Sequence, residues 1–324
     1  MRRCGLPLGL LVAVAAVAAA SAGCSNPNSG VAVSVVTPTQ TPSPVPTPAP
    51  LPTPTSTPIP PPSLTLSTTR VYQAGAILAS VSGDVAAGSI TFIGRTFPLT
   101  RDGTGMYAFL AVDAADATGA HSVSAAVTTS AGAAATLTQS VTVLRTKWDV
   151  SVDNLTFSPT TAKLLDPKLV QAEEATLHAV YGKVTSEKLW SGPWQMPVSG
   201  PITAHFGEQR SYQGGPPTGH HSGTDIGVDA GTPIHAANSG RVVLAEMLSE
   251  RGNMVIIDHG GGLFSGYAHM SAFKVTVGEM VQKGQVIGLA GSTGLATGPH
   301  VHWEMSANGI LLDALRFTDG SDGF

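Results

Sequence analysis

Two short segments constrain the fold more than any other part of this chain. In GPHVHWE, His300 and His302 stand two residues apart, and in HHSGTD, His221 and Asp225 stand four apart. Residues at these spacings on an extended segment project from one face, so His300 points with His302 and His221 with Asp225. A site that draws on both pairs makes the two segments neighbouring strands of one sheet. GYAHM, which carries His269, lies between them in sequence. Two imidazoles and one carboxylate suit a single divalent zinc ion, and three protein ligands leave a fourth position for water.

The helix-borne HExxH zinc pattern is absent from the chain, so a base beside such a metal is an imidazole. The imidazole pKa of about 6.5 suits proton transfer near neutrality. Glycines frame these segments in GHHSG, HGGGLFSG and GSTGLATG. They are expected to place flexible or positive-φ turns beside the metal, where an extended peptide approaches closely. No Gly-Lys-Ser/Thr follows any of them, which excludes a phosphate-cradling loop.

From Phe206 to Glu304 the chain resembles the lysostaphin-like and LytM-like zinc metallopeptidases, peptidase family M23, nearly end to end. PITAHFG, HSGTDIGVDAGTPIHAANSGRVV, GNMVIIDHGGGLFSGYAHMS, VGEMVQKGQVIGLAGSTG and TGPHVHWE carry the resemblance. It implies a compact all-β catalytic domain over residues 196–324 with an open groove, and endopeptidase activity on the peptides of bacterial peptidoglycan. Transferred position by position, it implies that His221, Asp225 and His302 ligate one Zn2+ ion and that His269 and His300 form the catalytic pair. The metal then polarises the scissile carbonyl and lowers the pKa of its water to about 7, while the pair orients that water, takes its proton and stabilises the oxyanion. Either histidine of the pair is open as the base.

Other residues near these motifs have two readings. Glu304, two residues beyond His302, either hydrogen-bonds a site histidine or is a rim carboxylate. Tyr267 lines the groove or packs. His220 is read as a loop residue near the groove, and His259, closing an apolar strand, as structural. His205 and His235 fall in framework segments, and His121 and His178 outside the catalytic region.

Composition limits the partners. With 37 glycines among 324 residues and 12% charged residues, the chain reads as β-rich and turn-rich. From Met196 onward six Lys/Arg stand against eleven Asp/Glu. Such an acidic region is a poor phosphate binder, which argues against nucleic acid.

Residues 1–23 read as an export signal, with Arg2 and Arg3 ahead of an apolar stretch from Leu6 to Ala20, too short for an ordinary membrane span. SAGC resembles a bacterial lipobox and makes Cys24 the site of a lipid anchor in the cell envelope; Ala20-Ser21-Ala22 offers ordinary secretion as the alternative. The only other cysteine, Cys4, lies inside the signal, so an internal disulfide is excluded from the mature chain. Residues 24–62 form a linker in which Thr37 to Pro62 holds twelve prolines, a composition that favours a polyproline II stalk.

Residues 63–147 change to short runs, LTLSTT, ILASVSG, SITFIG, YAFLAV, HSVSAAV and LTQSVTVL, which predict a β-sandwich resembling bacterial immunoglobulin-like modules. Residues 148–195 form a connector. There Asp166-Pro167 predicts the start of an amphipathic helix to about Tyr181 that buries Leu169, Ala172, Leu177 and Val180. Trp190 and Trp194 are expected to pack the connector against the β core. The expected chain is thus mainly β, a sandwich followed by an all-β catalytic domain, with a short connecting helix. Its expected activity is zinc-dependent cleavage of peptidoglycan cross-links or stem peptides. The alternative is a noncatalytic wall-binding protein that activates another hydrolase, against which the complete set of five site residues argues.

Overall fold

The computed structural model describes residues 59–147 and 152–324. The export signal, the Cys24 anchor and the linker as far as residue 58 lie outside the described residues. Residues 57–324 form one compact unit, and its secondary structure is mainly β with a single α-helix among the described residues. None of the described helices is long and apolar enough to cross a membrane.

The amino-terminal part contains two sheets. One has the order Ser63–Leu66, Ala76–Ser82, Gly105–Ala111, Thr100–Asp102; the other runs Arg70–Tyr72, Ala134–Leu144, Gly119–Thr128, Ala87–Phe92, Arg95–Pro98. All six apolar runs fall within or overlap these strands. The three-residue strands Arg70–Tyr72 and Thr100–Asp102 are too short to show a period. Ile77, Ala79 and Val81 of the first sheet share one core with Ile90, Phe92, Val123 and Val141 of the second, as expected of alternating strands packed face to face.

Gly105–Ala111 departs from alternation because six consecutive residues, Met106 to Ala111, are buried. Its second face meets the connector and the carboxy-terminal segment. The Phe109 ring lies 5.6 Å from Trp190, 6.4 Å from Phe317 and 5.3 Å from Phe324. Lys188 stands 4.3 Å above the Trp190 ring and pairs with Asp102 at 2.6 Å. Trp190 and Trp194 are both buried, so they pack the connector against the core.

The principal sheet has the order Ile202–Ala204, Thr224–Gly227, His300–Ala307, Leu263–Met270, Gly252–Gly260, Gly240–Leu248, Met280–Val281, and Ile310–Leu312 pairs with His300–Ala307. The pairs along it are antiparallel. Val152–Leu155, Gln209–Tyr212 and Pro217–His220 form a smaller sheet, in which the connector strand runs parallel to Gln209–Tyr212.

The helix α1 (Pro167–Tyr181) begins as its sequence predicts: the Asp166 side chain accepts from Lys168 N and Pro167 occupies the first turn. Its buried face is different. Glu173, Leu177, Val180 and Tyr181 are buried, whereas Leu169 is 41% exposed and Ala172 is exposed. The spacing from 173 through 177 to 180 and 181 follows one helical face, and the acid within it hides that face from an apolar count.

The glycine turns require a second correction. Gly260, Gly261 and Gly262 have positive φ, but Cβ atoms there would strike Glu187, Tyr107 and Asn308. This turn is pressed against the connector and the sandwich rather than facing the candidate metal centre.

Candidate active site

His302 occupies the middle of three adjacent strands. Its register partner is Asp225 on one side and Ala268 on the other, so His269 follows immediately beside it. The two motif segments are neighbouring strands. His221, however, does not share the strand of Asp225, which starts at Thr224. It stands in the turn after Pro217–His220, and its backbone N–H donates to Glu208 O at 2.8 Å. Gly223 permits this turn to close, because a Cβ there would lie 2.9 Å from His302 Nε2.

Three atoms converge. His221 Nε2 lies 2.9 Å from His302 Nδ1 and 3.0 Å from Asp225 Oδ1, and His302 Nδ1 lies 2.8 Å from Asp225 Oδ1. The far side of each ring is engaged. His221 Nδ1 donates to His205 O at 2.9 Å and His302 Nε2 to Glu304 Oε1 at 2.9 Å. These bonds assign the lone pairs of His221 Nε2 and His302 Nδ1 to the triangle. Three facing acceptors need a cation or a shared proton between them, and among the described residues this trio alone could hold a metal ion. Ligand atoms around tetrahedral zinc lie about 3.3 Å apart, so the trio fits after opening by a few tenths of an ångström.

The electrostatics agree with a cation site. Burial opposes ionisation of Asp225, yet the hydrogen bonds from His221 and His302 outweigh it and hold the carboxyl well below the usual range. Burial pushes His221 down to about 4. For His302 burial acts the same way, but the bonds to Asp225 and Glu304 prevail and raise it.

His269 and His300 stand beside the triangle with ring centroids 4.6 Å apart. His269 Nδ1 donates to Thr293 O and His300 Nδ1 to Gly298 O, each at 2.8 Å, which leaves Nε2 of each ring as its lone-pair nitrogen. Burial lowers both pKa values, so both rings are neutral at neutral pH. His269 has φ +57° within a strand, a conformation that costs a non-glycine residue on the order of 1–3 kcal/mol and is found where function requires it.

Two adjoining clefts flank the centre. Tyr212, His220, Leu295 and α1 residues Val170, Glu174 and His178 line one; Leu155, Thr203, Thr297 and His300 line the other. Arg210 lines both and donates to Asp225 Oδ2 at 2.7 Å. His220 sits at the end of a strand and is exposed. Tyr267 is fully buried and accepts from Ala237 N at 2.8 Å, so it packs rather than lines the groove. His259 is buried with its Nδ1 on Ser239 O, a structural position.

Glu304 is fully buried and hydrogen-bonds His302, which excludes a rim role. Arg210, Ser222, Arg251 and Glu173 did not emerge from the sequence reading. Only one carried a signal there: Glu173, an acid at the i−4 position from Leu177 on the buried helical face.

Fold and site together define a mainly β protein with a buried two-histidine, one-carboxylate centre that could hold a metal, set on a sheet surface. Residues 219–314 match the model of peptidase family M23, and the similarity to that family lies in this domain. The chain is 36% identical over 115 residues to the peptidoglycan DD-endopeptidase ShyA of Vibrio cholerae, covering 36% of this chain and 27% of the relative. It is 43% identical over 89 residues to the DD-carboxypeptidase/endopeptidase Mpg of Neisseria meningitidis, covering 28% and 20%. The matches thus span about a quarter of these relatives' length. The structure of an M23 peptidase from Pseudomonas aeruginosa superposes with a TM-score of 0.57 at 26% identity, covering 76% of this chain and 93% of the other. That coverage extends well beyond the family-matched segment.

Proposed function

We propose that the protein is a zinc-dependent endopeptidase that hydrolyses peptide bonds in bacterial peptidoglycan during cell-wall remodelling, exported to the envelope and anchored through a lipid on Cys24. The observation that carries this reading is the His221–Asp225–His302 triangle of facing acceptors with two neutral imidazoles beside it. The names of ShyA and Mpg support the substrate class.

His221, Asp225 and His302 would hold the zinc ion, which would supply Lewis acidity toward a scissile carbonyl and a more acidic water at neutral pH. His269 Nε2 and His300 Nε2 carry the lone pairs that accept the proton of the attacking water. The resulting imidazolium returns it to the leaving amine, so the pair acts first as base and then as acid. The carbonyls of Thr293 and Gly298 accept from Nδ1 of the two rings, so Nε2 is the nitrogen that gains and gives up the proton. Arg210 engages Asp225 Oδ2 and leaves Oδ1 to the triangle. The two clefts give an extended peptide a path across the centre, which suits cleavage within a peptide.

The test is digestion of purified peptidoglycan with and without chelation, read by mass spectrometry. New peptide termini that vanish on chelation and return with zinc are expected. Intact wall material from folded, zinc-loaded protein would overturn the reading and favour a regulator of another hydrolase.

A further inference from the structure

The helix α1 lies outside the segment matched to the family, yet it reaches the centre by two routes. Of its adjacent acids, Glu174 is exposed and Glu173 is 3% exposed. Glu173 Oε2 accepts from Glu250 N at 2.6 Å, and Oε1 accepts from Arg251 N at 3.2 Å and Arg251 Nη1 at 3.0 Å. One carboxylate therefore clamps both the turn at 250–251 and the guanidinium it carries.

From the guanidinium the first route runs to His302. Arg251 Nε donates to Glu304 Oε1 at 2.7 Å, and Glu304 Oε1 accepts from His302 Nε2 at 2.9 Å. Tyr181, at the other end of α1, donates to Glu304 Oε2 at 2.9 Å. The second route uses the clamped backbone. Arg251 O accepts from His269 N at 2.8 Å, and Glu250 O accepts from Leu295 N at 2.7 Å, in the loop whose Thr293 carbonyl holds the His269 ring.

We propose that α1 is a working part of the active site and that Glu173 is its positioning residue, acting through Arg251 and Glu304 on His302 and through the turn at 250–251 on His269. The inference rests on the metallopeptidase reading for its consequence in catalysis. Arg251 is held by two carboxylates. With Glu173 removed, it keeps Glu304 but loses the partner that fixes its fork and its turn, and the groups that orient a metal-binding imidazole typically influence metal affinity 10–100-fold.

The experiment compares the purified parent protein with Glu173→Ala, Glu173→Gln and, as a control at an exposed α1 position outside both clefts, Gln171→Ala. Zinc affinity is measured by competition with a chromophoric chelator, kcat and KM on peptidoglycan fragments, and the imidazole nitrogen resonances by NMR on the metal-free proteins. Glu173→Ala is expected to bind zinc about 10–100-fold more weakly, with kcat reduced, KM little changed, and the His302 and His269 resonances shifted. Glu173→Gln should fall between it and the parent, and Gln171→Ala should match the parent. Folded Glu173→Ala with the parent's affinity, kcat and resonances would overturn the proposal; if it does not fold, the same result in Glu173→Gln overturns it. A parent that neither binds zinc nor cleaves overturns the function reading alone, because the metal-free resonances still decide whether Glu173 positions His302.

Discussion

Arg210 Nη2 donates to Asp225 Oδ2 at 2.7 Å, while Asp225 Oδ1 faces the two imidazole nitrogens. The carboxylate is thereby divided between a fixed guanidinium and the metal position. Arg210→Ala leaves Oδ2 buried without that donor and is expected to weaken zinc binding about tenfold or more. Arg210→Lys should recover part of the loss, since an ammonium supplies the charge but not the planar fork. Chelator competition measures both, and parent-like affinity in Arg210→Ala would remove the guanidinium from the metal site.

The two histidines of one strand should separate cleanly. His302→Ala removes a vertex of the triangle, so bound zinc and peptidase activity should both be lost. His300→Ala leaves the triangle intact, so zinc should stay near one equivalent while kcat falls by about 10²–10⁴-fold. Metal content by elemental analysis beside kinetics checks this; full activity in His300→Ala would reject its role.

Acid should stabilise the contact between the carboxy-terminal segment and the sandwich. Asp322 is buried, its Oδ2 accepts from Ala76 N at 2.9 Å, and its Oδ1 has no partner. Burial pushes its carboxyl up from 3.8 to about 6, against the Ala76 bond. The folded state therefore holds this proton more tightly than the unfolded chain, so the contribution is fully present below about pH 4 and lost as pH rises through about 6. The shift corresponds to on the order of 3 kcal/mol. Asp322→Asn should be more stable than the parent at pH 7.5, with the gap closing towards pH 4 in denaturant titrations. A gap independent of pH would contradict this.

Phe109 is fully buried, with Tyr107, Trp190, Phe317 and Phe324 around it. Phe109→Ala is expected to cost about 3–5 kcal/mol. Fluorescence of Trp190 and Trp194 should shift with that loss and so report it on the connector. A destabilised sandwich with unshifted tryptophan fluorescence would show that the aromatic contact does not couple them.

The strand adjacency of Asp225 and His302 was legible because strand periodicity is local: a spacing of two puts His300 and His302 on one face, and a shared centre demands a neighbour. The site of His221 was only half legible, because its turn depends on a glycine that makes room for an imidazole 79 positions further along the chain. Arg251 was not legible, and Glu173 only through its place four residues before Leu177 on the buried helical face. Their contact joins residues 78 positions apart, and a charged residue on an amphipathic helix ordinarily faces water. The phase error on α1 has the same origin, since Leu169 was counted as core and Glu173 was not. The triple glycine at 260–262 carried its conformation in sequence but not its neighbour, and it supports the sandwich contact rather than the metal centre.

The last residues of the proline-rich tract are held as well. Pro60 O accepts from Asp84 N at 2.8 Å, and the sandwich that holds it shares its core with the principal sheet. A tether entering at Pro60 therefore acts on a body without a free hinge between the entry point and the groove. The direction in which the clefts open, relative to whatever the tether is fixed to, becomes a property of the fold. On the proposed anchored reading the tract would set how far the site reaches, and the aromatic contact around Phe109 would set which way its clefts face.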